Sequence, residues 1–272
     1  MTHRTQAVRD GEAALTKSLA KNLKAIGRQV AKKLRTVGKA AEEEEEEDKG
    51  IDAALDAVDW GPIAAAAQHE LAAVAEDAAQ YALKKLGIDD EEILNQTYTA
   101  AREWAANRAA ELVGKKWKGD ELVDNPNAEM AITDATRSEL RALVADAIDK
   151  GLSAKDLANS IEDMGGFSAE RAELIARTEI LRSNNAAHLE SFRASGVVSK
   201  KAWSVSGNEE VCDECQDNAD EGEIDLDDDF PSGDDAPPGH PRCECVLTAI
   251  VDEDAEASDA DSDDGDSEED DT

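Results

Sequence analysis

Apolar residues in the N-terminal stretch return at steps of four and three: Leu15, Leu19, Leu23, Ile26, Val30, Leu34 and Val37. That spacing predicts one stripe of a helix, and its mean step, near an eleven-residue repeat, keeps the stripe almost straight. Over 51–86 a helical period runs through Ile51, Leu55, Val58, Ile63, Leu71, Val74, Ala78 and Leu83, broken at Gly61-Pro62 and stopped by Gly87. Residues 89–113 predict another helix, with Ile93, Leu94, Tyr98, Trp104 and Leu112 facing a core. After a break at 119–126, residues 128–150 repeat the pattern through Ile132, Leu140, Leu143, Val144 and Ile148, and Gly151 closes the helix.

Ser153, with Asp156 three residues on, reads as an acidic capping box for a short helix through Leu157 and Ile161 that Gly165-Gly166 ends. Ser168 opens a longer helix over 169–194, which holds its period through Leu174, Ile175, Ile180, Leu181, Leu189 and Phe192 and stops at Gly196. The period then changes. Residues 200–205 alternate as a strand does, and 245–251 form a second strand candidate rich in Val, Leu and Ile. The Pro, Gly and Asp loop between them is too long to lie structureless in a compact domain unless something ties it down. The fold class is therefore α+β, with a mostly helical N-terminal and middle region and a small C-terminal β module.

All four cysteines stand at the two ends of that loop. Cys212 and Cys215 place two sulfurs one tight turn apart, which suits a tetrahedral ion at about 2.3 Å. His240, Cys243 and Cys245 supply three more candidates on the other side. Zinc takes four ligands, so one of the five is spare; Cys212, Cys215, His240 and Cys243 form the favoured set, and Cys245 could replace either member of the second pair. Four protein ligands leave no open position, so the zinc is expected to be structural and the protein not an enzyme. The plain alternative is free or disulfide-forming cysteines. A redox pair is disfavoured because Asp213 and Glu214 oppose thiolate formation. His69 and His188 read as helix-surface residues, and neither a Gly-rich phosphate loop nor a serine elbow is present. The trio Arg177-Thr178-Glu179 reads either as an exposed, locally paired helix face or as a buried polar clamp between the helix and the zinc-bound strands.

Charge changes the picture at both ends. Residues 1–41 form a basic amphipathic helical arm, with Lys17, Lys21, Lys24, Arg28, Lys32 and Arg35 around the apolar stripe. Such a helix packs on its own protein or a partner, or serves as a DNA-binding or membrane-surface arm. Residues 42–50 read as an acidic linker, 51–127 as a helical region and 252–272 as a solvated acidic tail. The chain carries 64 acidic against 29 basic side chains, a formal charge of −35. Self-repulsion on that scale is screened in molar salt, where the Debye length falls to about 3 Å, so one reading is a halophilic host; an acidic interaction tail and a nucleic-acid mimic are the others, and the spread of Asp and Glu along the whole chain favours the first. No apolar run approaches the roughly 20 residues that span a bilayer. The N-terminus also lacks the continuous apolar stretch of a secretory signal. A soluble protein, intracellular at synthesis, is expected.

The C-terminal third resembles the Mu F-like family of phage minor head, or head morphogenesis, proteins. The likeness rests on the order of Ala176-Arg177-Thr178-Glu179, Asn184-Asn185-Ala186, Gly196, Lys200-Lys201-Ala202-Trp203, Val211-Cys212 with Cys215, and Pro237-Pro238-Gly239-His240-Pro241-Arg242-Cys243-Glu244-Cys245. It covers about residues 130–251, and 128–251 is the expected family domain, with its zinc-binding module at 197–251. Family sequences usually read His-Pro-x-Cys-Arg-Cys, and Glu244 stands here at the arginine position. The resemblance implies a virion component that acts in capsid assembly beside the portal and is found in the host cytoplasm during assembly. Its implied partners are portal, major capsid or scaffold proteins, and the basic arm is the candidate for contact with packaged DNA. A cellular zinc-ribbon-like adaptor and a metal-dependent hydrolase are the competing readings.

Overall fold

The computed structural model describes residues 5–37, 44–128, 131–150, 153–205 and 211–251. The expected acidic tail at 252–272, residues 1–4 and 38–41 of the arm, residues 42–43 of the linker, Gly151, and the side chains of Arg35, Val37 and Ile148 lie outside what is described. The helices are α1 (Gln6–Val37), α2 (Glu44–Asp56), α3 (Gly61–Lys85), α4 (Glu91–Glu111), α5 (Ile132–Asp149), α6 (Ala154–Glu162), α7 (Ala169–Ser195) and α8 (Asp213–Asp220). Two strands, β1 (Lys115–Lys118) and β2 (Glu121–Asp124), make a hairpin. Three more, β3 (Val198–Ser204), β4 (Glu223–Asp225) and β5 (Val246–Val251), make an antiparallel sheet in the order β4-β3-β5.

The N-terminal helix is part of the core. Leu15, Leu19, Leu23 and Val30 are fully buried, because the apolar stripe of α1 is the face that packs on α7, α3 and α6. Two glycines let it approach closely: a Cβ on Gly11 would stand 2.6 Å from Val74 Cγ2, and one on Gly27 would stand 2.8 Å from the Phe167 ring. Where a linker is expected, α2 already begins at Glu44 and runs on into the buried Ile51 and Leu55. At the predicted break near Gly119, the β1–β2 hairpin forms with Gly119 at φ +62°, and Trp117 Nε1 donates to the Ala106 carbonyl. Four-residue strands as charged as these carry too little apolar alternation to register as strands. The capping readings at Ser153 and Ser168 are matched, since their side chains accept from Asp156 N and Arg171 N. No helix among the described residues is long and apolar enough to cross a membrane.

Helix α7 is buried along nearly its whole length, including polar side chains. Thr178 donates to its own turn at the Leu174 carbonyl, and Ser183 donates to the Leu71 carbonyl of α3. Glu179 takes two hydrogen bonds from Arg108 of α4, at 2.7 and 2.8 Å, with both side chains almost wholly enclosed. Burial works against the Arg108 charge, but the bonds and charge of Glu179 outweigh it and raise its pKa. Arg182 stands behind the pair, its Nε 3.9 Å from Glu179. Glu179→Leu leaves the buried Arg108 with Glu111 as its remaining carboxylate and takes the nearby charge from the half-buried Arg182, so it is expected to destabilise the protein by about 1–3 kcal/mol, whereas adding Arg108→Met restores much of the loss; urea unfolding of both variants checks this.

His188 lies on α7 between Tyr81 and Phe192, with ring centroids 6.4 and 6.0 Å away. It is half-buried there, a partly exposed helix residue as the sequence reading has it, and desolvation between these neighbours pulls its imidazole down to about 4. The depressed value means that the unfolded chain binds the proton first as pH falls below about 6.5. Stability is therefore full near neutral pH and declines towards pH 4, by up to about 3 kcal/mol from this group. His188→Phe should flatten that part of a pH–stability curve.

Candidate metal centre

Helix α8, which the sequence reading left as loop, starts from its own cysteine. Cys212 Sγ accepts from Cys215 N at 3.4 Å and so caps the helix. One helical turn then brings Cys215 into a buried position beside Cys212. Across the loop, Cys243 N donates to the His240 carbonyl, and Arg242 between them takes φ +70°, so His240 and Cys243 fold back onto the same spot. Cys212 Sγ and Cys215 Sγ lie 3.1 and 3.3 Å from His240 Nε2, and Cys215 Sγ lies 3.6 Å from Cys243 Sγ.

All five sequence candidates meet there, in two overlapping groups whose ligand atoms lie within 4.8 Å of one another. Cys212, Cys215 and His240 form one group; Cys215, Cys243 and Cys245 form the other. Cys215 belongs to both. Sulfurs around one tetrahedral ion at 2.3 Å stand about 3.8 Å apart, so the donor set fits a metal ion after a small expansion. His240 Nδ1 donates to the Pro241 carbonyl at 2.9 Å, which turns the Nε2 lone pair towards the sulfurs. Burial pushes the Cys215 thiol up to about 12, helped by Cys212; Cys243 is raised chiefly by its bond with Cys245 and then by burial.

The loop around these residues is packed. Cys215, Cys243 and Cys245 share an apolar cluster with Trp203, Phe230, Leu189 and Phe192. Trp203 meets Phe230 edge-on at 5.2 Å, and the fully buried Lys201 donates to the Asp235 carbonyl while its ammonium lies over the Phe230 ring. Asn218 of α8 donates to Ser232 Oγ and accepts from Ser232 N. Phe230 and Asn218 are not among the functional candidates read from the sequence, and Lys201 stands there only within the Lys200-Lys201-Ala202-Trp203 motif of the resemblance.

Polar contacts fasten this module to α7, among them Arg193 to Asp227 at 3.2 Å and two nearer the cysteines. Asn185 donates through Nδ2 to the Cys245 carbonyl at 3.3 Å and accepts from Leu247 N at 3.1 Å. Arg177 pairs with Glu244, between the last two cysteines. The polar trio therefore divides: Arg177 reaches the cysteine segment as the clamp reading has it, but from an exposed position and not a buried one, while Glu179 is buried and turns into the bundle towards α4.

Residues 138–248 match the family described as Phage Mu protein F like protein. A curated relative described as "Uncharacterized protein YqbB" of Bacillus subtilis (strain 168) is 36% identical over 92 residues. That stretch is 34% of this chain and 28% of the relative, so the match spans about a third of this chain and less than a third of the relative's length. No solved structure matches. The family resembled in the order of motifs is thus the one whose model matches this segment, which holds α7, β3, α8 and every metal-ligand candidate. Asn185→Leu leaves a buried carbonyl and a buried amide unpaired, at about 1–3 kcal/mol each. Hydrogen exchange in 246–251 should accelerate while the amides of α3 and α4 keep their protection.

Proposed function

We propose that this chain, Phage Mu F-like over residues 138–248, is a minor capsid protein that acts in head morphogenesis. The supporting observation is that the family segment contains the whole Cys/His cluster together with the helix that anchors it. The head morphogenesis domain extends over 128–251. Its place is the virion, and the host cytoplasm during assembly, beside the portal. Portal, major capsid or scaffold proteins are its partners, and packaged DNA meets the exposed basic face of α1 during packaging or ejection.

The metal is zinc, held by four of Cys212, Cys215, His240, Cys243 and Cys245, and it supplies folding free energy to a module of few strands. A closed ligand set suits a scaffold role and not hydrolysis, so the protein is not an enzyme. The work of the chain's own residues is positional: His240 is oriented by Pro241, and Cys245 is held through Asn185. The charge of −35, spread along the chain, suits a host whose interior is concentrated salt.

Protein purified without added metal is expected to hold one zinc per chain. Cys215→Ser, at the residue shared by both ligand groups, should lose it, expose 197–251 to protease with the earlier helices spared, and fail to enter heads. Of Cys243→Ser and Cys245→Ser, the variant that retains zinc identifies the spare ligand. Absence of zinc, or unaltered protection and head incorporation in Cys215→Ser, would reject the proposal.

A further inference from the structure

The cationic face of α1 is a surface kept open in a protein rich in possible ion-pair partners. Lys17, Lys21, Lys24, Arg28 and Lys32 are all exposed. At 100° per residue they fall within one narrow arc, opposite the stripe of Leu15, Leu19, Ile26 and Val30, and they extend about 22 Å along the axis. Elsewhere the cations commonly have partners: Arg102 with Glu76, Lys115 with Asp124, Arg137 and Arg141 with Asp52, and Arg193 with Glu190. Among the described residues, none of the five α1 cations has an ion pair or a hydrogen bond.

We propose that the acidic segment 252–272 of the same chain docks along this face and competes there with external polyanions. Thirteen of its 21 residues are Asp or Glu and none is basic, so it carries nearly twice the acidic side chains of the run of seven at 42–48. It is tethered within reach. Val251 pairs with Val198, just beyond the end of α7. Gly11 of α1 lies at Ile180 of α7 and Gly27 lies at Phe167, so the two helices run antiparallel and the Lys17 end of the face is nearer the tether. Along the axes, Lys17 is about 30 Å and Lys32 about 55 Å from the level of Val198. An extended 21-residue segment spans up to about 70 Å.

Duplex DNA would have to approach a chain of net charge −35, whereas the tethered segment is always at high local concentration. The contact consists of exposed ion pairs, so it is released in concentrated salt, such as the host interior proposed above, and forms when the protein meets dilute salt. It does not depend on the metal module, and it gives the basic face a regulator that the DNA reading alone lacks.

Carbodiimide coupling of the full chain in dilute salt, read by mass spectrometry, tests the proposal. Amide links from residues 252–272 to Lys17, Lys21, Lys24 and Lys32 are expected; they should survive dilution and vanish in molar salt. Lys116 and Lys118, exposed on the β1–β2 hairpin, serve as internal controls. Links spread equally over the hairpin lysines, links lost on dilution, or no links would each overturn it. In a parallel titration with a short fluorescent duplex, ending the chain at Val251 should tighten DNA binding about tenfold. If neither form binds DNA while the α1 links persist, the DNA reading fails and the intramolecular contact stands; equal DNA affinity with and without the segment overturns the competition.

Discussion

Asn185 ties a sheet of three short strands to a helical bundle with one side-chain amide. A two-hydrogen-bond match to a strand edge fixes register, because a slip by one residue would turn Leu247 away from Trp203 and Phe192 and leave the amide facing the wrong groups. It also places the Cys245 carbonyl, and with it the segment from His240 to Cys245. The metal candidates are positioned from two directions: α8 carries Cys212 and Cys215 on its first turn, and α7 holds the far strand against them. Helix α7 is shared by both structures, with Ala172, Ala176 and Ile180 in the bundle core and Leu189 and Phe192 in the module core.

That shared position explains why α7 is unusually polar for a buried helix. A helix enclosed on several sides cannot point its polar residues at water, so each buried polar side chain needs a partner inside. Ser183 finds the Leu71 carbonyl, Glu179 finds Arg108, and Asn185 finds β5. These contacts join α7 to α3, α4 and β5 in turn. Apolar packing supplies the bulk of the stabilisation, whereas the directional bonds select how the elements sit around this helix.

The helices were legible because their apolar periods are long and their caps carry recognisable side chains; α1, α3 and α7 each hold the pattern for many turns. The cysteine cluster was legible from spacing alone, since Cys212, Cys215, His240, Cys243 and Cys245 bracket one loop. What escaped was short or polar. Helix α8 has the sequence Asp-Glu-Cys-Gln-Asp-Asn-Ala-Asp, whose intrinsic propensity is weak, and it forms where Cys212 caps it and Asn218 docks on Ser232. The role of α1 was undecided for a different reason. A basic helix with one apolar stripe is equally consistent with a free arm and a bundle member, and only the close approach at Gly11 and Gly27 distinguishes them.

Glu244 brings the two levels together. Its position, between two buried cysteines, is where the resembled family usually carries arginine, so a carboxylate there reverses the local charge. In this chain the reversal meets a cation: Arg177, two turns of α7 before Asn185, pairs with it. A carboxylate between two candidate metal ligands would otherwise add negative charge in a largely buried segment, and the guanidinium offsets that charge while pulling the strand towards α7. The helix face that positions the segment through Asn185 thus also neutralises it through Arg177, and the geometry of the cluster and its electrostatics depend on residues two turns apart on one helix.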